Sequence, residues 1–178
     1  MGGRLALHLC DAWVDREELC LQRAILIGAS PGIEDDEERA LRLASDQRWS
    51  VPLWRGRALS EFLQEWNAQP LLAVLDRVNP NESARLFSHR REHKPEGLAA
   101  AFDILGQGQM PPLHDRLDQI TLPVLWVAGS ADTKYAEIAR WASERCPNGE
   151  MLLIEGKGHA PHLEDVERFS DLLCAMEY

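Results

Sequence analysis

Two residues of this 178-residue chain stand where a sheet's chemistry is usually held: Asp132, in Gly-Ser-Ala-Asp, and His159, in Gly-Lys-Gly-His-Ala-Pro-His. Each comes after a short apolar run, Pro123 to Ala128 and Met151 to Ile154, that reads as a buried strand. Open α/β sheets place their sites at such strand ends. A carboxylate that holds an imidazole fixes the ring's tautomer and stabilises its charged form, and the ring can then take the proton of a hydroxyl nucleophile. The nucleophile is expected just outside the chain. Met1-Gly2-Gly3 has the character of the small residues directly after the serine in a G-x-S-x-G elbow, where a strand turns sharply into a helix. That places the serine one position before Met1 and makes the main-chain nitrogen of Met1 the expected oxyanion donor.

An Asp after a strand is by itself most often a turn or helix cap. The chain order adds the weight: serine, then acid, then histidine is the order of α/β-hydrolases and differs from those of the chymotrypsin and subtilisin folds. Ser30 and Ser130 are the nearest other hydroxyls, but both read as turn residues ending strands. A competing pattern, His89-Arg90-Arg91-Glu92-His93, fits H-x-x-E-H, in which two histidines one helical turn apart hold zinc. Lys94-Pro95 stops that helix at once and no acidic third ligand stands in a helical context nearby, so the segment reads as a solvated helix end and no metal is expected.

The elements that must position these groups alternate at both ends of the chain. Arg4 to Trp13 is apolar on nearly every side, as in a helix buried against a sheet. Ala24 to Ile27 is a strand ended by Ser30-Pro31-Gly32, Lys134 to Arg145 is a helix, and Pro161 opens a final helix with an apolar face of Leu163, Val166, Phe169, Leu173 and Met176. Strand and helix in alternation give an α/β fold, mostly parallel sheet flanked by helices. The middle is different: charged, punctuated by proline and helical, with acids at Glu34 to Glu37 in a first turn and helices near Leu59–Trp66, Glu82–His89 and Glu96–Leu105. The chain divides into three parts: 1–33 as core helix and strand, 34–110 as a helical lid inserted over the strand ends, and 111–178 as the core carrying the acid and the histidine.

A formal net charge of −10 argues against general affinity for nucleic acid or for an anionic membrane, while leaving room for a small anionic substrate at a local arginine cluster. No apolar stretch has the length of a membrane span and no secretory pattern opens the chain. Cys10, Cys20, Cys146 and Cys174 have no C-x-x-C spacing and read as reduced core thiols of a cytoplasmic protein.

Taken together, MGGRLALHL, ASPGIEDDEERALRLASDQRW, GLAAAFDILGQGQMPPLHDRL, VLWVAGSADTKY and GKGHAPHLE resemble the 2-succinyl-6-hydroxy-2,4-cyclohexadiene-1-carboxylate synthases of menaquinone biosynthesis, over nearly the whole chain. The resemblance implies the C-terminal portion of an α/β-hydrolase fold with a lid, and a lyase that needs no metal or organic cofactor. In such an enzyme the triad removes a proton from 2-succinyl-5-enolpyruvyl-6-hydroxy-3-cyclohexene-1-carboxylate, pyruvate leaves, and the cyclohexadiene forms. Carried onto this sequence, Asp132 and His159 are the remaining triad members. Arg4, Arg42 and Arg90, or Arg91 in place of Arg90, meet the substrate's carboxylates, which a planar guanidinium grips through paired hydrogen bonds. Trp66 matches a pocket aromatic. Read without the resemblance, Arg42 would serve as a helix partner of Glu38 and Trp66 as core.

Two other functions stay open at this level, a serine esterase of the same fold and a non-catalytic binding module. The 178 residues alone, without the serine, are expected to be inactive. They would also leave an open sheet edge for a partner or a second copy to cover.

Overall fold

The computed structural model describes residues 1–13, 21–69, 72 and 78–174. Three apolar runs form one parallel sheet, β1 (Ala24–Ile27), β2 (Val124–Gly129) and β3 (Gly149–Ile154), in the order β1-β2-β3. Ala24 lies opposite Val124, and Val124 opposite Gly149. All six residues of β2 are buried because both of its faces are covered. Val124, Trp126 and Ala128 pack with Leu7 and Cys10 of α1 (Gly2–Trp13) and with Ala139 and Ala142 of α6 (Thr133–Ser143). Leu125 and Val127 point the other way, onto Phe169, Leu172 and Leu173 of α8 (Val166–Cys174). A strand whose alternating faces are both apolar reads as a continuous hydrophobic run, and each such side chain contributes roughly 1.5–3 kcal/mol on burial.

Between β1 and β2 lies the helical insertion. Asp35 caps α2 (Asp36–Trp54) by accepting from the N–H of Glu38 at 2.8 Å, and Asp36, Glu37 and Glu38 fill its first turn. Then come α3 (Leu59–Asn67), α4 (Pro80–Arg91) and α5 (Pro95–Leu105), the last two with proline in the first turn, and a 3₁₀ turn at His114–Gln119 leads into β2. The insertion has its own core, with Leu53, Phe62, Ala99 and Phe102 buried and Trp49 and Trp66 packed against them. α7 (Pro161–Glu164) closes the loop after β3.

Four expectations change. α1 is amphipathic, with Leu7 and Cys10 buried while Leu5 and Leu9, on its other face, are exposed, because the helix touches the sheet along one stripe only. The final helix is broken at Asp165, whose backbone leaves helical angles while its carboxylate pairs with Lys157 at 3.1 Å. Cys174 is exposed, unlike Cys10 and Cys146, because α8 buries only the face carrying Phe169, Leu172 and Leu173. The last strand is longer than the run from Met151 to Ile154, since β3 already begins at Gly149. Cys20 and Met176 lie outside the described residues. Among the described residues no helix is long and apolar enough to cross a membrane.

Candidate active site

The loops that leave β2 and β3 are stitched to each other, and this brings Asp132 and His159 together. Ser130 N–H donates to the carbonyl of Ile154 at 3.0 Å, Ala131 N–H to that of Lys157 at 2.9 Å, and Gly156 N–H to Ser130 Oγ at 2.8 Å. Ser130 is thereby a loop tie. Asp132 caps α6, with Oδ1 accepting from the N–H of Tyr135 at 3.4 Å, while Oδ2 lies 2.7 Å from His159 Nδ1. One carboxylate thus serves both the cap and the imidazole. The cap holds Asp132 against rotation, so the ring is held too. Tyr135 lies against the imidazole, ring centroids 4.6 Å apart, and burial raises the pKa of its phenol. Gly28, just past β1 at φ +54°, supplies the remaining wall: a Cβ there would sit 2.9 Å from His159 Cε1, so a side chain would displace the ring.

His159 faces a cavity of about 660 Å³ between the strand ends and the helical insertion. Its wall includes Met1 to Arg4, Ser30, Arg42, Asp46, Trp66, Phe102, Gln107, Tyr135 and His162. Arg4 is only 6% exposed, on the buried side of α1; Nη2 donates to the carbonyl of Leu105 at 2.9 Å, and Nε has no acceptor among the described residues. Burial, and then the nearby charge of Arg42, lower its pKa. Two guanidinium groups that disfavour each other across one cavity favour an anionic occupant. Arg42 donates from Nε to Asp46 Oδ1 at 2.8 Å and from Nη1 to Gln107 Oε1 at 2.7 Å; its helix partner is therefore Asp46, four residues on, and Glu38 is not used. Trp66 combines both of its expected roles. It lines the cavity, and it meets Trp49 and Phe102 edge-on, each at 5.3 Å, within the insertion's aromatic core.

The remaining candidates are placed differently. Met1 sits at the cavity with its carbonyl accepting the N–H groups of Arg4 and Leu5, so α1 begins there and its N-terminus opens into the cavity. Arg90 is outside the cavity lining; it donates to Asn67 Oδ1, lies 5.8 Å from the centre of the Phe87 ring, and has its pKa lowered by burial. Arg91 is exposed. α4 ends at Arg91, so His89 and His93 do not share a helical face, and His89 contacts Glu92 instead. Among the described residues no group of three or more His, Cys, Asp or Glu is placed to hold a metal ion.

Sequence reasoning missed Tyr135, His162, Asp46 and Gln107. Tyr135 is three residues after Asp132 on the first turn of α6, a spacing that could have signalled it. His162, whose pKa is lowered by burial and by His159, carried a signal in its nearness to His159 in sequence. Gln107 stood between two glycines at a helix end, a polar side chain on a turn that presses against α2.

Parallel strands flanked by helices, a helical insertion before the strand that leads to the acid, and an Asp–His pair at the strand ends define an α/β-hydrolase fold. Esterases share it, among them one from Thermogutta terrifontis at 20% identity and TM-score 0.71, covering 97% of this chain and 60% of that one. Within the class, the chain is a homologue of the 2-succinyl-6-hydroxy-2,4-cyclohexadiene-1-carboxylate synthases. It is 29% identical over 171 residues to the synthase of Serratia proteamaculans, covering 96% of this chain and 62% of the relative. It is 28% identical over 170 residues to that of Photorhabdus laumondii, covering 96% and 57%. The solved structure of MenH from S. aureus superposes with a TM-score of 0.87 at 28% identity, covering 97% of this chain and 63% of that one. The chain thus spans about three-fifths of the length of the relatives it matches. No family model matches it.

Proposed function

We propose that these residues carry the acid, the histidine and much of the substrate-binding wall of a 2-succinyl-6-hydroxy-2,4-cyclohexadiene-1-carboxylate synthase, and that the nucleophile they serve is the serine expected one position before Met1. The observation that carries the reading is a single cavity with the Asp132–His159 pair on one side and the guanidinium groups of Arg4 and Arg42 on another. His159 Nδ1 is held by Asp132, which leaves Nε2 to take the serine's proton. The serine oxygen removes a ring hydrogen from the substrate, the electron pair forms the new ring double bond, and the bond to the enolpyruvyl oxygen breaks. The departing group takes up a proton and leaves as pyruvate. The N-terminus of α1 at Met1 offers main-chain nitrogen to the developing oxyanion.

Arg4 and Arg42 take carboxylates of the substrate, and Trp66 packs on its ring. Arg90, one contact behind Trp66 through Asn67, reaches the substrate only if α4 shifts, as segment 34–110 would do in acting as a lid. The substrate is a small polycarboxylate met in the cytosol, no metal or cofactor takes part, and nucleic acid and membrane are not partners. The outer edge of β1, where Ile25 is exposed, is the place for a further strand or a second chain to pair.

The test is made on the protein from its native locus, after its intact mass has been measured. It should release pyruvate from the enolpyruvyl substrate and leave p-nitrophenyl acetate almost untouched. Fast hydrolysis of that neutral ester without pyruvate release would replace the synthase reading by an esterase, for which the arginines have no work.

A further inference from the structure

Asp46 is a carboxylate buried to 3% exposure in the wall of a cavity proposed to seat carboxylates. A buried negative charge beside an anion's seat opposes binding unless it does something else there. Its contacts give it such a task. Oδ1 accepts from Arg42 Nε at 2.8 Å and Oδ2 from the N–H of Gly108 at 3.3 Å, so one residue ties α2 to the turn at 106–108. The turn comes this close because two positions in it have no side chain: a Cβ on Gly106 would lie 2.8 Å from Asp46 Oδ2, and one on Gly108 would lie 2.8 Å from Leu43 Cβ and closer still to that residue's backbone. Between the two glycines, Gln107 turns its side chain into the cavity, accepting from Arg42 Nη1 at 2.7 Å and donating to Ser30 Oγ at 3.0 Å.

We propose that Asp46 is the positioning residue of the cavity's carboxylate grip, fixing Arg42 through Nε and Gln107 through the Gly108 tie, so that the outer guanidinium edge is aimed before any substrate arrives. With Nε committed to Asp46, only the terminal nitrogens can meet an incoming carboxylate. The amide oxygen of Gln107 holds Nη1 as a substrate oxygen would, and gives it up when one arrives. The ligand class is an organic carboxylate. The proposal rests on the synthase reading of this cavity, but its first test does not require turnover or ligand.

The Nε–H signal of Arg42 in the unmutated chain should be sharp, displaced and slow to exchange in ¹⁵N-edited NMR, as expected of a hydrogen bond to a buried carboxylate. A rapidly exchanging Arg42 Nε–H would overturn the proposal whatever the ligand proves to be. In Asp46→Asn the acceptor is neutral and the one amide oxygen must be shared between Gly108 and Arg42, so the Arg42 Nε–H signal should broaden and exchange faster. Affinity for the enolpyruvyl substrate should then fall roughly tenfold to a hundredfold, the scale of a charge-assisted hydrogen bond. Arg42→Gln should weaken binding by a similar factor, and adding Asp46→Asn to it should weaken binding no further. If the second substitution keeps its full effect in the Arg42→Gln background, Asp46 acts on the fold and the proposal fails. If Asp46→Asn does not fold, the exchange rate in the unmutated chain decides. Failure of the unmutated chain to bind the substrate, with Arg42 Nε–H protected, would count against the synthase reading and leave the positioning role supported.

Discussion

β2 buries all six of its residues and α4 buries none, and the polar groups of the site divide along that difference. Asp132 follows the fully buried β2 and His159 follows β3, and their loops are bonded to each other through main-chain groups, so their 2.7 Å contact is set by backbone. Arg42 and Arg90 extend from helices of the insertion, and their aim is set by side-chain partners, Asp46 and Gln107 for one and Asn67 for the other. The pair that would do the chemistry is thus placed by main-chain bonds, while Arg42 and Arg90 are placed by side-chain contacts made within the insertion.

The sharpest way to break this comparison is at the histidine. His159→Ala in the protein from the native locus should reduce pyruvate release by at least about four powers of ten. It should leave the melting temperature nearly unchanged, since the ring is supported at the cavity edge and carries none of the sheet's packing. A melting temperature that falls as far as for a β2 core substitution would show the ring to be scaffold, and the division between chemistry and packing would fail.

The next effect separates the two cores. Phe62 is 2% exposed among Trp49, Trp66 and Phe102, and Phe62→Ala should cost about 3–5 kcal/mol. Because this cluster is distinct from the sheet's, hydrogen exchange should quicken in α2, α3 and α5 while the amides of β2 and β3 keep their protection. Val127→Ala, in the middle of β2, should quicken exchange everywhere. Equal loss of protection in both regions for Phe62→Ala would mean that the insertion and the sheet unfold as one unit.

The same contrast explains what could be read from residues alone. β2 was legible because a strand covered on both faces is written as an uninterrupted apolar run, β1 and β3 because their short apolar runs stop at turn residues although each buries only one residue, and Asp132 and His159 because each comes just after such a run. The insertion's helices were legible from the acids at Glu34 to Glu37 and from the segments near Leu59–Trp66, Glu82–His89 and Glu96–Leu105, while the prolines that open α4 and α5 were not read as helix starts. Which faces the helices present was not legible. Arg42 has an acid four residues away on both sides, and only the packing of the 106–108 turn against α2 selects Asp46 over Glu38. Arg90 lies on a helix whose placement depends on contacts remote in sequence. The break at Asp165 was hidden because the apolar period continues through it, while its cause, the pairs Lys157–Asp165 and Gly158 N–H to Glu164, lies in the preceding loop.

The smallest expected effect is on stability at mildly acid pH, and it should fall on the sheet side of the molecule. His8 on α1 and His162 on α7 both have their pKa lowered from 6.5, burial being the first cause in each and a neighbouring residue, Arg4 or His159, the next. A histidine with a lowered folded value is neutral in both states above about 6.5, so it makes no difference there. As the pH falls below that value the unfolded chain takes up protons that the folded chain refuses, and folding stability declines until the folded value is passed. The melting temperature should therefore fall by a few degrees between pH 7.5 and 5.5, and the fall should shrink in His162→Gln and shrink again when His8→Gln is added. His8 and His162 both lie outside the insertion, on α1 and α7, so exchange in α2, α3 and α5 should respond less to the same change. A fall of equal size in the double variant would assign the acid sensitivity elsewhere, and one seen first in the insertion would place it in α2, α3 and α5 rather than beside the strand ends.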